Sequence, residues 1–244
     1  MHPARPAARY NDAMFRRAIA RAALLVVAGA FVGVPARAEA VDVEIVLAVD
    51  SSGSIDRREF QLQREGYIRA LTDPKVLDAI GQGKLGAIAI TLFEWSGPGF
   101  VNEIVPWTRI AGAGEARQTA AVIAAEPRQI FGGGTAVGAA IHHAASLFGR
   151  AFDGARRVID VSGDGMNNRG TPAEVARDAA VAAGITINGL PIEGEEANIS
   201  AYYRENVIGG PGAFLIVARN FDDFARAIRD KLIKEIQISE DAPR

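Results

Sequence analysis

The order of its apolar segments constrains this chain more than any other feature. From Val43 onward, short runs rich in β-branched residues alternate with longer stretches of helical periodicity. Residues 43–49 read as a strand, and 55–71 as a helix with Phe60, Tyr67, Ile68 and Leu71 on one face. Residues 85–93 and 100–105 read as two strands. The turn signal Trp95-Ser96-Gly97-Pro98-Gly99 between them predicts an antiparallel hairpin. Helices follow at 113–125 and 136–148, separated by the break Phe131-Gly132-Gly133-Gly134-Thr135. Then comes a strand at 157–161 and a helix opened by Thr171 as N-cap, with Pro172 and Glu174 in its first turn. Strands at 185–192 and 213–217 and a last helix at 221–236 complete the pattern. The alternation predicts an α/β fold: a doubly wound, mostly parallel six-stranded sheet with helices on both faces and one antiparallel edge strand.

In such folds ligands sit outside the carboxyl ends of the strands, where the strand order reverses. Asp50 follows the first strand and Asp164 the fourth, so two loops far apart in sequence are expected to converge there. The first loop is unusual. The apolar run from Ile45 to Val49 drives straight into Asp50-Ser51-Ser52-Gly53-Ser54. Those oxygens are suited to capping a helix, holding a metal ion or forming part of a catalytic site. Asp50, Ser52, Ser54, Thr135 and Asp164 together make a hard, all-oxygen donor set. It suits Mg²⁺, with Mn²⁺ or Ca²⁺ as alternatives, and lacks soft ligands for zinc or copper. The i, i+2, i+4 spacing sets alternate side chains on one side of a curling loop. Gly53 and Gly132 to Gly134 permit the turn and the close approach. Under the simpler alternative, Ser54 caps the first helix and Asp50 merely ends a strand.

Asp-x-Ser-x-Ser after the first strand, a Thr in a Gly-rich loop and an Asp after the fourth strand resemble the metal-ion-dependent adhesion site of von Willebrand factor A-type domains. All five positions match, and the resemblance covers essentially all of 39–238, element order and hairpin included. The run Ser162 to Asn168 is similar to one found in secreted bacterial A-type domains of unknown function. The resemblance implies that the Ser and Thr hydroxyls hold Mg²⁺ directly, while the Asp residues act largely through water. It implies an open coordination position that accepts a Glu or Asp from a protein partner. The third loop departs from the family: Gly163-Asp164-Gly165 stands where Thr-Asp-Gly is common. Asn167 and Asn168 are placed to add hydrogen bonds behind the site or to shape the turn.

An enzymatic reading, a metal-dependent hydrolase on the same oxygens, finds little support. A dehalogenase-type phosphatase needs a second Asp two residues after the first, and Ser52 stands there. Neither Ser52 nor Ser54 lies in a G-x-S-x-G elbow. After the leader the histidines are His142 and His143, adjacent within a helix, one expected to face the core and the other solvent. The glycine loop lacks the Gly-Lys-Ser/Thr ending of a phosphate cradle.

Specificity is expected in the loop after the fifth strand. There Glu193, Glu195 and Glu196 offer charge, and Tyr202 and Tyr203 offer rigid aromatic area for a partner; equally, the glutamates read as a solvated loop and the tyrosines as anchors of a short helix on the sheet. One of the glutamates is also suited to occupying the open metal position from within. Trp95 and Trp107 flank the hairpin and read as edge packing or, if exposed, as a second contact surface.

Arg16, Arg17 and Arg21 precede an apolar stretch, Ala22 to Val34, which ends in Ala36-Arg37-Ala38. That is the layout of a signal peptide over 1–38, so the protein is expected to be exported to the periplasm or beyond. The domain is expected over 39–238, with a frayed tail at 239–244. Of 27 basic and 29 acidic residues, the leader carries six Arg and one Asp, which leaves 21 and 28, a net charge of −7. That balance argues against nucleic acid or anionic membrane as a partner. With no cysteine there is neither disulfide nor thiolate chemistry, and the mature chain has no stretch expected to span a membrane.

Overall fold

In a computed structural model, β1 (Glu39–Asp50) is the central strand of the sheet, because it pairs in parallel with a strand on each side. The structure describes residues 38–149, 151–194 and 197–238. Except for Ala38, the leader lies outside the described residues, as does the tail at 239–244. Residues 38 onward form one unit.

After β1 come α1 (Arg57–Leu71), α2 (Pro74–Gly81), β2 (Ile88–Trp95), β3 (Val101–Ile110), α3 (Ala113–Ala125) and α4 (Val137–Leu147). Next are β4 (Phe152–Gly163), α5 (Ala173–Ala182), β5 (Thr186–Pro191) and α6 (Ile199–Tyr202). A π-helical turn (Tyr203–Val207), a 3₁₀ turn (Phe221–Asp223) and α7 (Phe224–Gln237) close the chain. The strand order is β3-β2-β1-β4-β5, parallel throughout except for the antiparallel β2–β3 hairpin at one edge. The order reverses between β1 and β4, so the loops that leave these two strands are neighbours.

Side chains that alternate along β1 enter two cores. Val43, Ile45, Leu47 and Val49 pack with Tyr67 and Leu71 of α1, Ile80 of α2, Ile123 of α3 and Phe224 of α7. Val46 and Ala48 pack with Val137 and Ile141 of α4, Ala176 of α5 and Ile199 of α6. Each fully buried Ile or Leu is worth roughly 1.5–3 kcal/mol, enough to lock the register of a central strand.

Two expectations are corrected, and one helix is added. The sheet has five strands among the described residues, because residues 213–217 make only single bridges, Leu215 to Gly189 being one. The Phe214 amide donates instead to Asn188 Oδ1 at 2.9 Å. Helix α5 begins at Ala173 with Pro172 as its N-cap and no side-chain cap bond; Thr171 is taken up in packing, its carbonyl lying against Gly138 of α4. Helix α2 was not anticipated, although Asp73 caps it through Lys75 N at 2.8 Å and Pro74 opens it. Among the described residues no helix is long and apolar enough to cross a membrane.

Candidate functional site

Asp50 ends the central strand and is fully buried. Its Oδ1 accepts the Ser52 amide at 2.7 Å, the local turn that bends the chain away from the sheet. Ser51 N still donates to Trp95 O at 2.8 Å, so the turn starts from a fixed base. Gln63 of α1 donates to the Asp50 carbonyl at 3.3 Å, and the Arg128 guanidinium donates to the carbonyls of Ser51 and Ser52 at 3.4 Å each. Beyond the turn the hydroxyls form a chain. Ser52 Oγ and Ser54 Oγ are 3.1 Å apart, and Ser54 Oγ donates to Asp164 Oδ1 at 2.9 Å.

The cap of α1 is Asp56, not Ser54. Asp56 accepts the Glu59 amide at 2.8 Å, and Glu59 accepts the Asp56 amide at 2.8 Å, a complete capping box. The simple helix-start reading of this loop therefore fails for Ser54.

Thr135 arrives on the glycine loop. Gly132 and Gly133 have φ of 100° and 94°, conformations that side-chain-bearing residues rarely adopt. A Cβ on Gly53 would stand 3.3 Å from Gly133 O, so the absent side chain lets the two loops meet. Asn168 grips Thr135 from the third loop: its Oδ1 accepts the Thr135 amide and its own amide donates to the Thr135 carbonyl, both at 2.9 Å. Asn167 Oδ1 accepts Gly138 N at 3.1 Å and ties the same loop to the first turn of α4. Both asparagines thus hold the two loops in register. Ser54, Thr135 and Asp164 line one open cleft of about 570 Å³, together with Arg58, Glu193 and Asp222. Ser52 joins this set through Ser54, and Asp50 lies behind Ser52.

The electrostatics of this cluster are unbalanced. Asp50 Oδ2 is buried without a protein hydrogen-bond partner. Burial first, and then the Asp164 charge, push the Asp50 carboxyl up to about 8, against only weaker opposing contributions from Ser52 and Arg128. Ser52, Ser54 and Asp164 form one chain of hard oxygens, with Asp50 behind it and Thr135 on the same cleft, and hard oxygens are what Mg²⁺, Mn²⁺ or Ca²⁺ take as ligands. The residues present therefore fit such an ion. Among the described residues no group of three or more His, Asp or Glu side chains is placed to hold an ion, and this set has only two carboxyls beside its hydroxyls.

The expected partner contacts divide. Glu193 is exposed on the cleft wall, where Ser200 Oγ donates to its carboxylate at 2.7 Å. Glu195 and Glu196 lie outside the described residues. Tyr202 is half-buried and its hydroxyl accepts the Asn167 amide at 3.2 Å. Tyr203 is 0% exposed and cannot touch a partner, because its ring is packed into the core beside α5. Trp95 is buried and Trp107 half-buried, its Nε1 donating to Leu147 O at 3.0 Å, so the pair forms edge packing and not a contact surface. His142 is exposed and His143 packs edge-on against Phe93, as expected.

Two residues near the site escaped the sequence reading. Phe131 is 79% exposed just before the glycine loop, and Phe100 is 60% exposed at the hairpin turn, where Gly97 separates its ring from Gly134. Apolar periodicity marks buried faces, and a lone exposed Phe beside a loop carries no such signal.

Comparison with known proteins places these features in a family. No curated protein matches the chain. Among solved structures, it is similar to proximal thread matrix protein 1 from the mussel byssus, solved with a zinc-occupied MIDAS motif. That match has a TM-score of 0.58 and 16% identity over 82% of this chain and 47% of that one. It is similar to the pilus adhesin SpaC from Lactobacillus rhamnosus GG, with a TM-score of 0.59 and 17% identity over 81% of this chain and 30% of that one. A von Willebrand factor type A protein from Catenulispora acidiphila matches with a TM-score of 0.58 and 18% identity, over 81% of this chain and 43% of that one. The chain thus spans less than half the length of each of these proteins. A family model described as a protein of unknown function, DUF1194, matches residues 40–240. The chain belongs to the DUF1194 family and has a von Willebrand factor A-type fold.

Proposed function

We propose that this chain is an exported protein-binding module whose hold on its partner depends on a divalent cation, Mg²⁺ in the first instance. Asp50, Ser52, Ser54, Thr135 and Asp164 would hold the ion. One observation carries the reading. Ser54 is released from capping α1 by Asp56 and is bonded instead to Asp164, in a chain of oxygens that ends at an unpartnered buried carboxylate oxygen. When bound, the ion supplies a fixed positive charge with a coordination position for an Asp or Glu of the partner.

The protein's own residues do the rest. Asn167 and Asn168 hold the Thr135 loop against the third loop, so the ligands are set before a partner arrives. Exposed Phe100 and Phe131 give apolar area near the glycine loop, and Glu193 gives a charged wall to the cleft. Solved structures of the same fold include an adhesin and a byssal protein with a metal in its adhesion motif, which supports the reading.

The test is a thermal melt with Mg²⁺ and with chelator, on wild type and Asp50→Ala. An ion at about 100 times its dissociation constant stabilises the folded state by about 2.7 kcal/mol. At roughly 2–4 °C per kcal/mol for a domain of this size, the wild-type midpoint shifts visibly. The variant does not shift. A wild type that ignores Mg²⁺, Mn²⁺ and Ca²⁺ alike rejects the proposal.

A further inference from the structure

Two glycines sit inside neighbouring strands, where glycine weakens a sheet and commonly marks a close approach by another group. Gly189 is in β5 and Gly163 ends β4. Tyr203 reaches over both, beside Leu215 at Gly189. A Cβ on Gly189 would lie 2.9 Å from Tyr203 Cδ1, and a Cβ on Gly163 would lie 2.8 Å from the Tyr203 hydroxyl. The same Gly163 Cβ would lie 2.7 Å from Asp50 Oδ2. The ring therefore runs across β5 toward β4, and its hydroxyl and Asp50 Oδ2 both border the space that a Gly163 side chain would take.

Both oxygens are buried, and neither has a protein hydrogen-bond partner, each other included. Their chemistry is complementary. A phenol, with an ordinary pKa of about 10, donates at neutral pH, and a carboxyl oxygen accepts. The π-helical turn Tyr203–Val207, closed by Ile208 N donating to Tyr203 O at 3.0 Å, is the irregularity that starts at this residue. Such turns are rare and frequent at functional sites.

We propose that Tyr203 is a positioning residue of the cation site: its hydroxyl donates to Asp50 Oδ2 through one water and keeps that carboxyl oriented toward Ser52 and Ser54. Gly163 and Gly189 are there to let the ring pass. This inference rests on the metal-site reading and assigns a role to a residue that touches neither ion nor partner.

The experiment is a calorimetric titration of purified protein with Mn²⁺, beside melts in chelator, for wild type, Tyr203→Phe and Tyr67→Phe. Groups that orient metal ligands typically change affinity by about 10–100-fold when removed. Tyr203→Phe is expected to weaken Mn²⁺ binding by about tenfold, without raising the melting temperature in chelator. Tyr67→Phe removes another buried hydroxyl, which pairs with Ser162 Oγ at 3.2 Å on the opposite core, and leaves Mn²⁺ affinity unchanged. If wild type binds Mn²⁺ and Tyr203→Phe binds it equally well, the positioning role is overturned and the metal site stands. A Tyr203→Phe that melts higher than wild type in chelator also overturns it, since removing an orphaned hydroxyl relieves a penalty. If wild type binds no Mn²⁺, both readings fall together.

Discussion

The Ser54 hydroxyl donates to Asp164 Oδ1 at 2.9 Å and joins residues 110 positions apart, while Asp56, two residues on, caps α1. Two neighbouring polar side chains thus do separate jobs, and their substitutions separate cleanly. Asp56→Ala loses the cap and costs about 1 kcal/mol of stability, or a few degrees of melting temperature, with the Mg²⁺ response retained. Ser54→Ala stays within about 0.5 kcal/mol of wild type in chelator but loses most of the Mg²⁺ response. Melts of both variants, with and without the ion, check this crossover. If Ser54→Ala behaves like a lost cap, the assignment is wrong.

The sequence made the convergence of Asp50 and Asp164 legible because it needed only strand identity and the rule for strand ends. It did not distinguish Ser54 from Asp56 as the cap, since both are good capping residues two positions apart and only Glu59 breaks the tie. Residues 213–217 looked like a strand by composition. Asn188, a buried side chain on β5, takes the Phe214 amide, and no local pattern announces such a tertiary partner. The polar loop around Tyr203 left a partner contact and an anchor of a short helix on the sheet equally open. The burial of Tyr203 depends on Gly163 and Gly189, from two other strands, leaving room for the ring.

A second polar cluster lies inside the protein, away from the cleft. Lys231 of α7 is fully buried between Asp160 of β4, at 2.7 Å, and Glu235, its neighbour one turn on. Lys231→Met leaves two buried carboxylates facing each other without their cation. Loss of one partner from a buried ion pair costs about 3–5 kcal/mol. Urea unfolding should show a lower midpoint with an unchanged slope. An unchanged midpoint would mean that the pair contributes nothing net.

The same cluster sets a pH dependence. Burial, with Glu235 adding to it, pushes the Asp160 carboxyl up to about 7, against the opposing pull of Lys231. Lys231 and Glu235 face it from α7, and Tyr67 of α1 and Tyr203 are near enough for its charge to raise theirs. A folded-state value above the unfolded one makes protonation favour folding. That stabilisation is complete below about pH 3.8 and is lost as pH rises through about 7. Asp160→Asn removes the titration, so stability in chelator should fall less steeply than in wild type across that window. Parallel curves for the two proteins would contradict the assignment.

The most direct measurement is anomalous diffraction from crystals of the protein grown with Mn²⁺, since it locates the ion without reference to stability or to a partner. A single strong peak is expected at bonding distance from the Ser52, Ser54 and Thr135 hydroxyls, with Asp50 and Asp164 behind it. A peak elsewhere on the surface, with Ser54 still bonded to Asp164 and no density between these loops, would contradict the claim that this is a metal site.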